Sequence, residues 1–130
     1  MTAHWASKYI GMEWVAGEND CWAFFRKVQA DHFGIDVPAV DVNSISRLSC
    51  MREFGINGER ENWESVQEPR EGDAVLLGIG RRPSHIGLWA NGGVLHCLEG
   101  AGVVHQQLAA MRRHNWNNIA FYRHLPCVQQ

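Results

Sequence analysis

Asn91-Gly92, set between two runs rich in apolar residues, is the feature that most restricts how this chain can fold. An Asn-Gly pair supplies the two left-handed residues of a type I′ turn, and that turn matches the twist of antiparallel strands. A two-residue turn here places Ala90 opposite Gly93, Trp89 opposite Val94 and Gly87 opposite His96. His85 then shares a face with His96 as its diagonal neighbour, roughly 7–8 Å away between backbones, and Gly87 leaves the space between them open. A three-residue loop through Gly93 would put the two histidines on opposite faces unless a bulge restored the parity.

A second constraint lies upstream, in Gly17-Glu18-Asn19-Asp20-Cys21-Trp22-Ala23-Phe24-Phe25-Arg26-Lys27-Val28. Gly17, Asn19 and Asp20 are turn and cap residues, and Phe24, Phe25, Val28 and Phe33 recur near helical spacing, so the sequence predicts a helix with Asp20 as N-cap running to about His32. Cys21 falls in its first turn, where backbone N–H groups and the helix dipole favour an anion and can lower a thiol pKa from about 8.5 into the range of roughly 3.5–7.5. The thiolate is the nucleophilic form. A lone cysteine is more often a small buried hydrophobe; the two downstream histidines are what favour a nucleophile.

The ordered set Ile10-Gly11, Trp14, Gly17, Asp20-Cys21, then Glu71-Gly72-Asp73-Ala74-Val75-Leu76-Leu77, then His85-Ile86-Gly87-Leu88-Trp89 and Leu95-His96 resembles the NlpC-type cell-wall cysteine peptidases over about residues 9 to 105. The resemblance implies a papain-like α+β fold and a Cys-His-His mechanism. It makes Cys21 the nucleophile, His85 the general base and His96 the polar residue that orients it. Trp14 falls where the family usually has a cleft-lining tyrosine. With Trp22 and Asp20 it completes the expected substrate-binding set. The implied substrate is a peptidoglycan stem peptide, cut at the bond between D-glutamate and the following diamino acid, with no cofactor.

Several residues depart from the family pattern. Trp22-Ala23 replaces the usual Ser-Gly after the cysteine, Ala16 replaces one glycine of a pair, and the His-to-His hairpin is about one residue short. The Asn-Asp-Cys-Trp variant, so near the N-terminus, is similar to stand-alone phage and prophage proteins, which implies phage tail proteins as partners and association with the virion. Two other readings stay open: a related amidase or acyltransferase with another substrate, and a catalytically silent tail structural protein.

With 130 residues, 45% hydrophobic and 20% charged, one domain over 1–130 is expected, burying roughly two-thirds of the unfolded surface. A net charge of −2 without a long basic run argues against nucleic acid. The sequence holds no apolar stretch of membrane-spanning length and no recognisable signal peptide, so membrane insertion is not expected and synthesis in the cytoplasm is. Cys21, Cys50, Cys97 and Cys127 are too scattered for a disulfide framework.

The remaining pattern predicts a short helix before Tyr9, another helix from Asn43 to Phe54, a polar connection over 55–72, and strands near 73–79, 85–90, 94–98, 102–107 and 118–124. Helices first and an antiparallel sheet after give an α+β fold. His85, His96, Cys97 and Asp73 could be drawn as a zinc site, but His96 and Cys97 are adjacent in a strand and point to opposite faces, so no metal is expected. His4, His32, His105, His114 and His124 read as surface or satisfied core residues, and Arg81-Arg82 and Arg112-Arg113 as solvated turns.

Overall fold

The computed structural model describes residues 4–37, 62–80 and 83–125. The helix expected over 43–54, Cys50, Cys127 and Arg81-Arg82 lie outside the described residues. A 3-10 helix, Trp5–Tyr9, precedes helix α1, Cys21–Phe33. Strands β1 (Trp63–Val66), β2 (Ala74–Gly78), β3 (Pro83–Ala90), β4 (Gly93–Leu98) and β5 (Gly102–Gln106) follow, then helix α2 (Leu108–Arg113) and strand β6 (Asn118–His124). The six strands form one sheet in the order β1-β6-β2-β3-β4-β5, paired antiparallel throughout. This is the α+β architecture the sequence predicts.

The hairpin follows the two-residue reading. Leu88, Trp89 and Ala90 face Leu95, Val94 and Gly93, and Asn91 and Gly92 both take positive φ, 47° and 75°. Those two left-handed residues are the requirement of the type I′ turn.

Strand alternation sorts the core into two layers. Ala74, Leu76, Ile86, Leu88, Leu95 and Cys97 pack with Trp22, Phe24, Phe25 and Val28 of α1. On the other face Val75, Leu77 and Val94 pack with Met111 of α2 and with Trp116. Full burial of a side chain the size of Phe24 or Phe25 contributes roughly 1.5–3 kcal/mol, so the α1 layer holds the helix, and the cysteine at its start, firmly on the sheet. The helix stops at Gly34, whose φ of 68° is the left-handed cap that glycine adopts without strain. A Cβ on Gly72, which has φ 90°, would sit 2.6 Å from the Phe33 ring. Gly72 therefore lets the end of α1 rest on the entry to β2.

Two elements differ from the sequence reading. The polar connection over 55–72 contains a strand, Trp63–Val66, paired with β6 from Trp63↔His124 to Val66↔Phe121. Trp63 anchors it, 2% exposed and tilted on Phe25, while the polar Glu64 and Ser65 hide it from a hydrophobic pattern. The other is α2, six residues between β5 and β6, too short to show a helical period.

Candidate active site

Asp20 fixes the start of α1. Its Oδ1 accepts a hydrogen bond from Ala23 N at 2.9 Å and its Oδ2 accepts from Gly17 N at 3.0 Å. One carboxylate thus closes both the helix and the preceding loop, and a cap of this kind contributes typically about 1 kcal/mol. The loop is held from the other side as well. Asn19 and Val15 exchange backbone hydrogen bonds, Asn19 Nδ2 donates to the Glu13 carbonyl at 2.7 Å, and Cys97 Sγ donates to the Asn19 carbonyl at 3.1 Å. Cys21, the first helical residue and 5% exposed, lines a small pocket with Trp14, Asp20, His85, Cys97, Leu98 and Glu99.

The pocket lies where the sheet hairpin loosens. Strands β3 and β4 are paired from Ala90↔Gly93 to Leu88↔Leu95, and His85, Cys97 and Leu98 all fall beyond the last of those pairs. There Cys21, from the α1 layer, and His85, whose partner Leu77 belongs to the other layer, share one opening. Behind His85 runs a chain of polar groups, buried at the two histidines and half-buried at Gln106. His85 Nε2 lies 2.9 Å from His96 Nδ1, and His96 Nε2 lies 2.7 Å from Gln106 Oε1. Trp116 stacks on the His85 ring with centroids 5.4 Å apart. A Cβ at Gly87 would come within 2.9 Å of the His96 Cβ and of the Leu95 carbonyl, so only glycine leaves room for this pairing.

Burial sets the protonation state of the inner histidine. His96 is fully buried and its pKa is pushed down to about 4, chiefly by desolvation and further by His105, against the opposing hydrogen bond to Gln106. His96 is neutral at physiological pH. Cys97 is inert for the same reason: burial, and then the neighbouring Cys21 and Asp20, push its thiol up to about 12.

A cysteine at a capped helix start, in one pocket with a histidine backed by a second histidine, is an arrangement for nucleophilic acyl transfer. The model of the NlpC/P60 family matches residues 6–121, which include every residue of the pocket and of the histidine chain. The chain belongs to the NlpC/P60 family. Members of that family are typically cysteine peptidases acting on the bacterial cell wall, and the α+β papain-like fold agrees with the architecture found here. No curated protein sequence matches the chain significantly.

In this NlpC/P60 protein the structure brings Cys21, Asp20, His85 and Trp14 to one pocket, with His96 directly behind His85. Trp14 is half-buried and also borders a neighbouring groove with Gly11, Glu13 and Gly102. Trp22, expected at the substrate, lies in the core. It is 1% exposed, packs beside Phe25 in the α1 layer and is absent from the pocket wall, because the second helical position faces the core. Asp73 stands apart from the histidines, bound to Arg123 and to the Arg70 N–H, and Cys97 faces Asn19; neither joins His85 and His96 in a ligand set. Among the described residues no group of three or more His, Cys, Asp or Glu side chains could hold a metal, and no helix is long and apolar enough to cross a membrane. The sequence reading missed Gln106. Its only signal is parity: with a three-residue loop after Leu98, Gln106 falls opposite Val94 and on the same face as His96.

Proposed function

We propose that the chain is a cysteine peptidase that hydrolyses an amide bond of peptidoglycan stem peptides through Cys21, His85 and His96. The observation that carries this reading is the shared pocket of Cys21 and His85 at a capped helix start. His85 takes the thiol proton through the ring nitrogen that His96 does not hold, and the Cys21 sulfur attacks the substrate carbonyl. The Cys21 backbone N–H, at the first helical position, stabilises the developing oxyanion. His85 then gives its proton to the departing amine, leaving a thioester. Water, deprotonated by His85, attacks the thioester, and the thiol leaves with the proton. His96 keeps the base oriented throughout.

Trp14 supplies an aromatic wall for an extended peptide, and Asp20 acts through the loop and helix it closes. The bond we assign is that between D-glutamate and the diamino acid, and residues 1–130 form one catalytic domain that needs no cofactor. The Asn19-Asp20-Cys21-Trp22 variant supports a phage or prophage source, with synthesis in the cytoplasm, tail proteins as partners and the virion as a destination. Digestion of defined muropeptides by the reduced protein, followed by mass analysis, tests the assignment. Fragments ending at D-glutamate are expected. Cleavage at another amide would replace the substrate claim with a related amidase, and unchanged muropeptides and sacculi would overturn it.

A further inference from the structure

Half-buried Gln106 closes the chain that begins at buried His85, and its chemistry decides where the protons on that chain reside. A neutral imidazole carries a single N–H, so one ring nitrogen donates and the other accepts. His96 is neutral in this setting. Gln106 presents its amide oxygen, which can only accept, to His96 Nε2 at 2.7 Å. The His96 proton is therefore on Nε2, and Nδ1 is left as an acceptor. His85 Nε2, 2.9 Å from that Nδ1, must donate. Neutral His85 then carries its basic lone pair on Nδ1, the nitrogen turned away from His96.

The reversed amide would reverse the whole chain. With the Gln106 NH₂ donating, His96 Nε2 would accept, His96 Nδ1–H would donate to His85, and the proton of neutral His85 would be on Nδ1, where a base needs its lone pair.

The backbone holds Gln106 in place. Gln106 pairs with Val94 at the end of β5, and a Cβ on Gly93 would lie 2.6 Å from the Gln106 carbonyl oxygen and 2.9 Å from His105 Cε1. Gly93 thus allows β5 to close fully on β4. The preceding residue, His105, donates from Nε2 to the Ala90 carbonyl at 2.6 Å, tying the end of β5 to the hairpin turn.

We propose that Gln106 is a positioning residue that sets the tautomers of His96 and, through it, of His85, so that His85 Nδ1 is the basic atom of the site. The tautomer assignment stands on the hydrogen-bond geometry together with the burial that keeps His96 neutral; its consequence for turnover rests on the peptidase reading above. The test is two-bond ¹H–¹⁵N correlation of the histidine rings in the protein, which distinguishes the tautomers, read beside kcat and KM of Gln106→Leu and Gln106→Glu. In the unaltered protein both His85 and His96 are expected as Nε2–H tautomers. Gln106→Leu should mix the tautomers and lower kcat about 10–100-fold with little change in KM, the scale on which a metal-bound histidine responds to loss of the partner of its other nitrogen. Gln106→Glu, which still accepts from Nε2–H, should restore the tautomers and most of kcat. A Nδ1–H tautomer at His96 in the unaltered protein, or Gln106→Leu with unchanged tautomers, would overturn the proposal. A protein with both Nε2–H tautomers that cleaves no amide would support this assignment while removing the peptidase reading.

Discussion

The sheet carries two polar clusters centred on buried side chains, Asp73 in one and His85 with His96 in the other, and they are built on opposite principles. At the junction of β2 and β6, the Asp73 carboxylate accepts from Arg123 Nε at 3.1 Å, from Arg123 Nη2 at 2.8 Å and from the Arg70 N–H at 2.7 Å. That cluster is charged and closed on itself; it raises the Arg123 pKa and ties two strands and a loop together. The chain across β3, β4 and β5 is made of His85, His96 and Gln106, is kept neutral at His96 by burial, and ends in a pocket beside Cys21. Both have a buried polar centre and a half-buried edge, Arg123 in the first and Gln106 in the second. The closed cluster satisfies its charges with fixed donors, whereas the histidine chain reaches the pocket at His85, where the proposed mechanism has it take up and return a proton. That contrast separates the Gly72-Asp73 motif, which supports the fold, from the histidines, which carry the proposed chemistry.

The widest separation between the two clusters should appear in turnover. Cys21→Ala and His85→Ala are each expected to lower kcat/KM at least about 10³-fold, with the folded state retained by circular dichroism, while Asp73→Asn should leave the kcat/KM of the folded fraction within a few-fold. Equal losses of activity in Asp73→Asn and His85→Ala, measured on folded protein, would erase the distinction.

Acid should strike the neutral chain through its burial. Above the ordinary histidine pKa of 6.5, His96 is neutral in both the folded and the unfolded chain, and its contribution to stability is fully present. As pH falls from 6.5 toward 4 only the unfolded chain takes up the proton, so stability should decline by about 3 kcal/mol and then level off below about 4. Urea unfolding across that window checks the slope, and His96→Asn should flatten it. An equally steep slope in His96→Asn would assign the acid sensitivity to other groups.

A smaller effect belongs to the closed cluster. Asp73→Asn should lower stability at neutral pH by about 2 kcal/mol, below the 3–5 kcal/mol typical of a broken buried pair because the Arg123 side chain is 26% exposed. Denaturant unfolding measures it, and no loss would mean that the Arg70 and Arg123 contacts are incidental. Smallest of all, Trp14→Ala should raise KM several-fold on muropeptides while leaving the melting temperature within about 2 °C, since Trp14 borders the pocket and is only half-buried.

What the sequence disclosed tracks how local each feature is. Asn91-Gly92 fixes its own turn through two residues, and from that turn the parity of His85 and His96 follows; Asp20 caps its own helix within three residues. Features that depend on distant partners were not legible. Trp63–Val66 becomes a strand only by pairing with residues 121–124, some sixty positions later. Gln106 acquires a role only once the loop after Leu98 sets the β4–β5 register. Trp22 stands three residues before the buried Phe25 and seven before the buried Gln29, the spacing of a core-facing stripe. Its packing beside Phe25 follows that periodicity and not its closeness to Cys21.

The central claim is that Cys21 is the activated thiol and that its position at the helix start beside His85 makes it so. Peptide-mapped alkylation with iodoacetamide at neutral pH tests this directly, because Cys97 offers an internal comparison in the same pocket. A thiol held at about 12 leaves only about one thiolate in 10⁵ at pH 7. Cys21 is expected to label well ahead of Cys97, Cys50 and Cys127 and to lose that lead in His85→Ala. Equal labelling of all four thiols, or a lead that survives His85→Ala unchanged, would contradict the account.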